Sequence, residues 1–191
     1  MTRRLAEVAR QVGVSEATVS RVLNGRSGVS ASTRAAVLTA LDVMGYERPT
    51  QPGGNLALHK AVSASGSQGG YPPGNAVDGD ANSYWESTNN AFPQSFTVDF
   101  GSTVTVSRLV LKLPPSSAWG PRTQTVTISG STDGGSYTTL VGSRGYAFDP
   151  ASGNTASVSF AATSQRFVRL TFSGNTGWPA GQASEFEVAA A

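Results

Sequence analysis

The chain has 191 residues, no cysteine, one histidine and a formal net charge of +2. The missing cysteines exclude disulfides and a thiolate metal centre, and no run approaches the roughly 20 apolar residues of a membrane-spanning helix. Charge is unevenly placed: residues 1–50 carry seven Arg against four acids, a balance of +3, whereas residues 51–191 carry seven Lys and Arg against eight acids, a balance of −1. Tyr46 is the only aromatic residue in the first fifty, and eighteen of the twenty-two glycines follow residue 50. These breaks predict a small basic head suited to phosphates and a larger, turn-rich body. Thr2-Arg3-Arg4 is basic, but Leu5–Val14 is a mixed amphipathic stretch and not the apolar core of a signal peptide. The expectation is a cytoplasmic protein with no membrane contact.

In chain order, Leu5, Val8, Ala9 and Val12 fall at helical spacing, and Gly13 supplies the turn that ends this first helix. Ser15 is placed to cap a second helix, whose buried side is Val19, Val22 and Leu23 and whose stop is Asn24-Gly25. A third helix starts after Ser30, buries Val37, Leu41 and Met44, and ends at Gly45. Three short helices around one small core form a helix-turn-helix, whose second element lies in a DNA major groove.

The run Val14-Ser-Glu-Ala-Thr-Val-Ser-Arg-Val-Leu-Asn24-Gly25, followed by Val29-Ser30, Thr33-Arg34 and Gly45-Tyr46, resembles the DNA-binding head of LacI-family repressors from about Leu5 to Pro49. By that resemblance Glu16, Ala17 and Arg21 read base edges, with Arg21 the natural partner of guanine O6 and N7. Ser15, Thr18, Ser20 and Asn24 would face phosphates and set register. Arg3 and Arg4 read equally as phosphate contacts or as an ordinary charged terminus. The family continues into a hinge helix and a dimerising effector domain, and this chain departs from it there. Pro49-Thr-Gln-Pro52-Gly53-Gly54 reads as a linker that no helix can cross. One head reads one half-site, so tight binding to double-stranded DNA needs an oligomer, and no oligomerising element is evident. The expected boundaries are 1–48 for the head, 49–54 for the linker and 55–191 for the body.

The body alternates with period two at Phe96–Phe100, Val104–Val106, Leu109–Leu113, Val126–Ile128, Phe167–Phe172 and Phe186–Val188, each run bounded by turn residues. That pattern predicts an antiparallel β-sandwich, so the fold class is two-domain, α then β. Asp133-Gly134-Gly135 reads as a hairpin turn. The segments Asn55–Ala57, Asn75–Ser87 and Ser184–Val188 resemble carbohydrate-binding modules, which implies a sugar site of aromatic faces and a few polar groups. Trp85 runs from a loop straight into a strand and reads as core, whereas Tyr71, Trp119 and Trp178 sit in turn-rich segments that suit a platform. Glu86, Asn89, Asn90 and Arg122 are candidate partners for hydroxyls. The aromatic positions have little positive charge near them in sequence, which suggests a neutral glycan.

Asn55-Leu-Ala, Asn75-Ala-Val-Asp-Gly-Asp80-Ala-Asn-Ser-Tyr-Trp85-Glu-Ser and Ser184-Glu-Phe-Glu-Val188 resemble the discoidin, or coagulation factor V/VIII type C, fold, and within it family-32-like carbohydrate-binding modules. The resemblance implies an eight-stranded jelly roll of the galactose-binding-like kind, a sugar site in the loops at one end and a structural calcium. Its ligands would be the Asn75 carbonyl, Asp78, Asp80, Ser83, Ser184 and Glu185. Hard oxygens in a Gly-containing loop suit Ca²⁺, although an EF-hand is excluded because Ser83 and Asn89 stand where it needs Gly and Glu. A metal-free Asx turn is the other reading of Asp78–Asp80.

Catalysis is not expected. His59 stands alone, there is no Gly-x-Ser-x-Gly, and Glu185 and Glu187, which share a strand face, lie near the chain end. Two readings of the whole follow. One is a sugar-responsive DNA-binding regulator carrying a carbohydrate-binding domain, in which the Pro/Gly linker is expected to couple sugar to DNA affinity only weakly. The other is the carbohydrate-binding module of a glycoside-hydrolase system, a type usually secreted, whose head is a fusion or gene-model relic.

Overall fold

The computed structural model describes residues 2–23, 28–43 and 54–190. Asn24, Met44, Gly45, Tyr46 and the 49–53 part of the expected linker lie outside it, as do the side chains of Leu23 and Leu41. The chain divides into two compact units, Met1–Gln51 and Pro52–Ala191.

The first unit holds α1 (Thr2–Val12), α2 (Glu16–Leu23) and α3 (Ala31–Val43). Gly13 ends α1 at φ +73°, a left-handed geometry that a side chain would strain. Ser15 Oγ accepts the Thr18 backbone N–H at 3.2 Å and Ser30 Oγ accepts that of Thr33 at 3.1 Å, so each following helix begins on a serine cap. Val8, Ala9, Val19, Val22, Val37 and Ala40 are buried together, with Val12, Val14 and Val29 packed around them. Among the described residues this core is made of valine and alanine, small side chains that suit a helical unit built from three short pieces.

The second unit is antiparallel throughout. Its strands are β1 (Ala61–Ala64), β2 (Trp85–Glu86), β3 (Gln94–Lys112), β4 (Arg122–Ser131), β5 (Thr138–Phe148), β6 (Thr155–Asn175), β7 (Gln182–Ala183) and β8 (Glu185–Ala189). The sequence pattern separates Phe96–Phe100, Val104–Val106 and Leu109–Leu113, but the structure joins them into the single long strand β3. Register shifts between Asp99 and Val104 and between Val106 and Arg108 bend it. Bulges increase local twist and let one strand serve two layers.

Before the bend β3 lies between β1 and β6, and after it between β8 and β6. The order β1-β3-β6-β4-β5 completes the first layer, and β2 pairs with β7 separately. The layers face each other across aromatic rings. Trp85, Phe96, Phe148, Phe172 and Phe186 are all fully buried, and Phe96 meets Phe186 of β8 at 5.6 Å. Trp85 is therefore core, and its indole N–H reaches the Gly66 carbonyl at 3.2 Å. Asp133-Gly134-Gly135 forms the turn between β4 and β5.

Candidate functional site

In the helical unit, Ser15, Glu16, Ala17 and Arg21 are exposed while Val19 and Val22 face inward, so α2 presents one polar face. Thr18 and Ser20 are half-buried on its flank. The Thr18 hydroxyl meets that of Ser15 at 2.9 Å, a contact that stiffens the first turn. The side-chain period of the helix makes this division: charged residues at one edge and valines at three-residue spacing on the other.

In the β unit the candidate sugar residues gather at one end, around β2 and β7. Period-two alternation sends Trp85 into the core and leaves Tyr84 and Glu86 on the opposite side. Glu86 is nevertheless only 5% exposed. Its two oxygens each accept one bond, Oε1 from the Trp178 indole N–H at 3.1 Å and Oε2 from Gln182 Nε2 at 3.0 Å. Gln182 passes the polarity on: its Oε1 accepts from Arg122 Nη1 at 2.9 Å and from Asn175 Nδ2 at 3.2 Å. Gln124 holds the Gln182 backbone on both sides, accepting its N–H and donating to its carbonyl, each at 2.9 Å. A buried carboxylate is tolerable here because every bond it makes is to a donor.

Arg122 is a half-buried cation over the Trp119 ring at 4.9 Å. Burial pulls its guanidinium below the usual arginine range, and the Glu86 charge opposes this. The expectation of little positive charge near the aromatics is thus corrected: the cation comes from the start of β4 and the anion from β2. Gly177 makes that approach possible, since a Cβ there would stand 2.9 Å from Arg122 Cβ and Nε. Tyr71 stacks on Tyr84 at 4.5 Å, and Tyr84 meets Trp119 edge-on at 4.7 Å. Burial raises the Tyr84 hydroxyl well above its ordinary range, with Tyr71 and Glu86 adding to it. Trp178 stands out from this cluster, 47% exposed. Asn90 ties its backbone N–H to the Pro179 carbonyl at 2.8 Å, and the Asn89 amide oxygen is buried without a partner among the described residues.

Tyr84, Gln124, Asn175 and Gln182 also belong to this cluster, although the sequence pattern does not single them out. Tyr84 was within reach, because it shares the Glu86 side of a strand. The amides carry no distinguishing pattern of their own.

A second cluster joins the 75–83 loop to β8. Ser83 Oγ lies 2.6 Å from Asp78 Oδ2, 3.1 Å from the Asp80 carbonyl and 3.4 Å from the Asn75 carbonyl. Gly79 N–H donates to Glu185 Oε1 at 2.9 Å, and the Ser184 hydroxyl is buried with no partner among the described residues. The Asp80 Oδ1 accepts from the Asn82 backbone N–H at 2.9 Å and side-chain amide at 3.2 Å, while its main-chain oxygen turns to Ser83. Burial raises Glu185 to about 7, with Asp78 adding to the shift. Asp78 moves down: burial opposes, but bonds from Ser83 and the Asp80 N–H prevail. Among the described residues no three His, Cys, Asp or Glu side chains converge, so the charge here is that of two carboxyls.

A bent antiparallel sandwich, with an aromatic and polar cluster at one end and no described helix long and apolar enough to cross a membrane, defines a ligand-binding β-domain behind a helix-turn-helix head. The chain belongs to the F5/8 type C domain family, whose model matches residues 61–186. Residues 4–49 match the bacterial regulatory proteins of the lacI family. Both are non-catalytic kinds of domain. The HTH-type transcriptional regulator MalR of Streptomyces coelicolor is 71% identical over 51 residues, 27% of this chain and 15% of that regulator. The chain thus spans about 15% of the length of the curated relatives it matches first. Chitosan-binding module 2 of a chitosanase/glucanase from Paenibacillus sp. IK-5, solved with chitotriose, is 32% identical with a TM-score of 0.56. That likeness covers 71% of this chain and 100% of the module. The CBM32 of AlyQ, solved with 4,5-unsaturated mannuronic acid, is 29% identical with a TM-score of 0.57, covering 69% and 95%.

Proposed function

We propose that the chain is a sequence-specific DNA-binding regulator whose second unit binds a carbohydrate without catalysis, in the cytoplasm. The observation that carries the sugar site is the pairing of exposed Trp178 with buried Glu86. An indole whose N–H is pinned to a fixed carboxylate is a rigid platform, and it binds with little ordering cost. Tyr71, Trp119 and Arg122 line the approach, and Asn90 secures the Trp178 loop. The two ligands named for the related modules differ in charge, so the fold does not choose the sugar. The test is titration of the full chain with galactose and with chitotriose, comparing native protein with Trp178→Ala. Loss of a sugar-dependent heat signal in the variant supports the site; equal binding in both moves it elsewhere.

Calcium fits the second cluster. Carbonyl oxygens from Asn75 and Asp80, the Asp78 carboxylate, the Ser83 and Ser184 hydroxyls and Glu185 supply the hard oxygens that Ca²⁺ takes. The unpartnered Ser184 hydroxyl and the raised Glu185 carboxyl support this reading, since a cation would satisfy one and replace the proton on the other. Its contribution would be structural, fastening β8 to the 75–83 loop.

For the head, the exposed Glu16–Ala17–Arg21 face supports base reading, flanked by Ser15, Thr18 and Ser20 on phosphates. Operator selection with and without the bound sugar tests the link between the units. Sugar alters DNA affinity only if it discriminates between two states of the protein.

A further inference from the structure

The outer face of the first β layer carries a groove of about 440 Å³ that no part of the loop-end cluster reaches. Two cross-strand rows make its floor: Ala61, Asp99 and Phe167 in one, and Ser63, Thr97 and Arg169 in the next. The β4–β5 turn forms the wall through Asp133 and Tyr137. Ala61 and Ser63 are the small residues that leave the trough open.

Arg169 is held for a purpose that no partner in the fold explains. Its guanidinium lies over the Tyr137 ring at 3.7 Å, and its Nε donates to Thr97 Oγ1 at 3.1 Å. Its two terminal nitrogens have no hydrogen-bond partner among the described residues, and no carboxylate pairs with it there. The neighbouring Asp99 is already taken, since both its oxygens accept from Arg166 at 2.9 and 3.0 Å. Asp133 uses Oδ1 on the Gly135 and Ser136 N–H groups and the Ser131 hydroxyl, leaving Oδ2 open. The groove therefore offers one immobilised guanidinium fork and one carboxylate oxygen.

We propose that this groove binds an acidic sugar residue, with the sugar carboxylate on the terminal nitrogens of Arg169 and a hydroxyl donating to Asp133. A planar fork pre-set by stacking matches a carboxylate, and a trough of this volume holds a sugar or two. Asp99 and Asp133 disfavour a phosphate dianion or a nucleic acid, because their charges repel a doubly charged group more than a single carboxylate. The carboxylate receptor stands on the groove itself, whereas its reading as a sugar site rests on the second unit being a carbohydrate-binding module.

The test titrates the full chain with tetragalacturonate, with succinate and with galactose. Arg169→Gln removes the fork, and exposed Ser63→Trp fills the trough while leaving Arg169 in place, with circular dichroism reporting the fold of each. The expected result is tetragalacturonate binding that drops at least about tenfold in both variants and persists in Trp178→Ala. Unchanged affinity in the folded Ser63→Trp variant, or no tetragalacturonate binding by the native chain at millimolar concentration, overturns the site. Equal affinity for succinate overturns its assignment to a sugar. Galactose binding that Trp178→Ala alone abolishes would leave the loop-end site standing if the groove fails.

Discussion

Glutamine at position 86 keeps the shape of the side chain and reverses half of its hydrogen-bonding sense. Both Glu86 oxygens accept, one from Trp178 and one from Gln182. Glu86→Gln must set its new amide N–H₂ against one of these donors. Turning Gln182 over does not repair the network, because its amide nitrogen would then face Arg122 and Asn175, which both donate. The variant is expected to aim its nitrogen at Trp178, the one donor that can turn to water. The remaining bond to Gln182 falls from charge-assisted to neutral, and Arg122 loses its nearby anion. Together these changes cost about 1.5–3 kcal/mol on ordinary hydrogen-bond magnitudes. For a sandwich of this size that is a fall of roughly 5–10 °C in melting midpoint. Thermal denaturation at neutral pH reads the first effect, and iodide quenching of tryptophan reads the second, as greater access to Trp178. A midpoint within about 2 °C of the native value, with quenching unchanged, would refute the one-way polarity of the network.

The other predictions concern the metal cluster, the Arg122 contact and the head. With metal removed by chelator, Glu185 holds its proton in the folded state up to about 7 against an ordinary 4.5, so the folded chain binds more protons than the unfolded one across that interval. The Glu185 contribution to stability is therefore full below about 4.5 and declines as pH rises toward about 7. Added Ca²⁺ should raise the melting midpoint most at the upper end of this window, and Asp78→Asn should remove that gain; a midpoint indifferent to calcium at pH 7.5 counts against the donor set. Gly177→Ala places a methyl 2.9 Å from Arg122, so the guanidinium must leave Trp119. A loss of about 1–3 kcal/mol in denaturant unfolding is expected, and a neutral result would mean that the loop yields instead. Arg21→Ala should weaken binding to a selected operator about tenfold or more and relax preference for guanine, whereas a uniform loss on all sequences would make Arg21 a phosphate contact. Binding by a demonstrated monomer should be weak and strongly salt-dependent, and nanomolar affinity in a gel shift from a monomer contradicts the half-site argument.

The local parts of both units were legible in the residues. Val8 and Val12 in α1 and Val19 and Val22 in α2 sit at helical spacing, so this part of the head's core followed from periodicity, and Ser15 and Ser30 marked the helix starts. Period-two runs located β3, β4, β8 and the second half of β6, but not β1 or β5, and Trp85 was told from Trp178 by its place at a strand entrance. What periodicity missed was β3 as one bent strand, because a bulge changes pairing without interrupting the hydrophobic pattern enough to be seen.

Sequence alone determined the two-part organisation, the three helices, the alternating runs of β3, β4, β6 and β8, the polar face of α2 and the Tyr71, Glu86, Trp119, Arg122 and Trp178 side chains of the loop-end cluster, since each depends on residue type and short-range spacing. Only the tertiary structure decided which of those side chains meet. Glu86 and Gln182 are 96 positions apart and become neighbours through the pairing of β2 with β7. The Asp80 carbonyl meets Ser83 while its Oδ1 is held by Asn82. Arg169 was an unremarked residue of an alternating strand until the β4–β5 turn folded Tyr137 over it. Long-range contacts of this kind are fixed by how layers pack, and no local pattern encodes which partner a polar side chain will find.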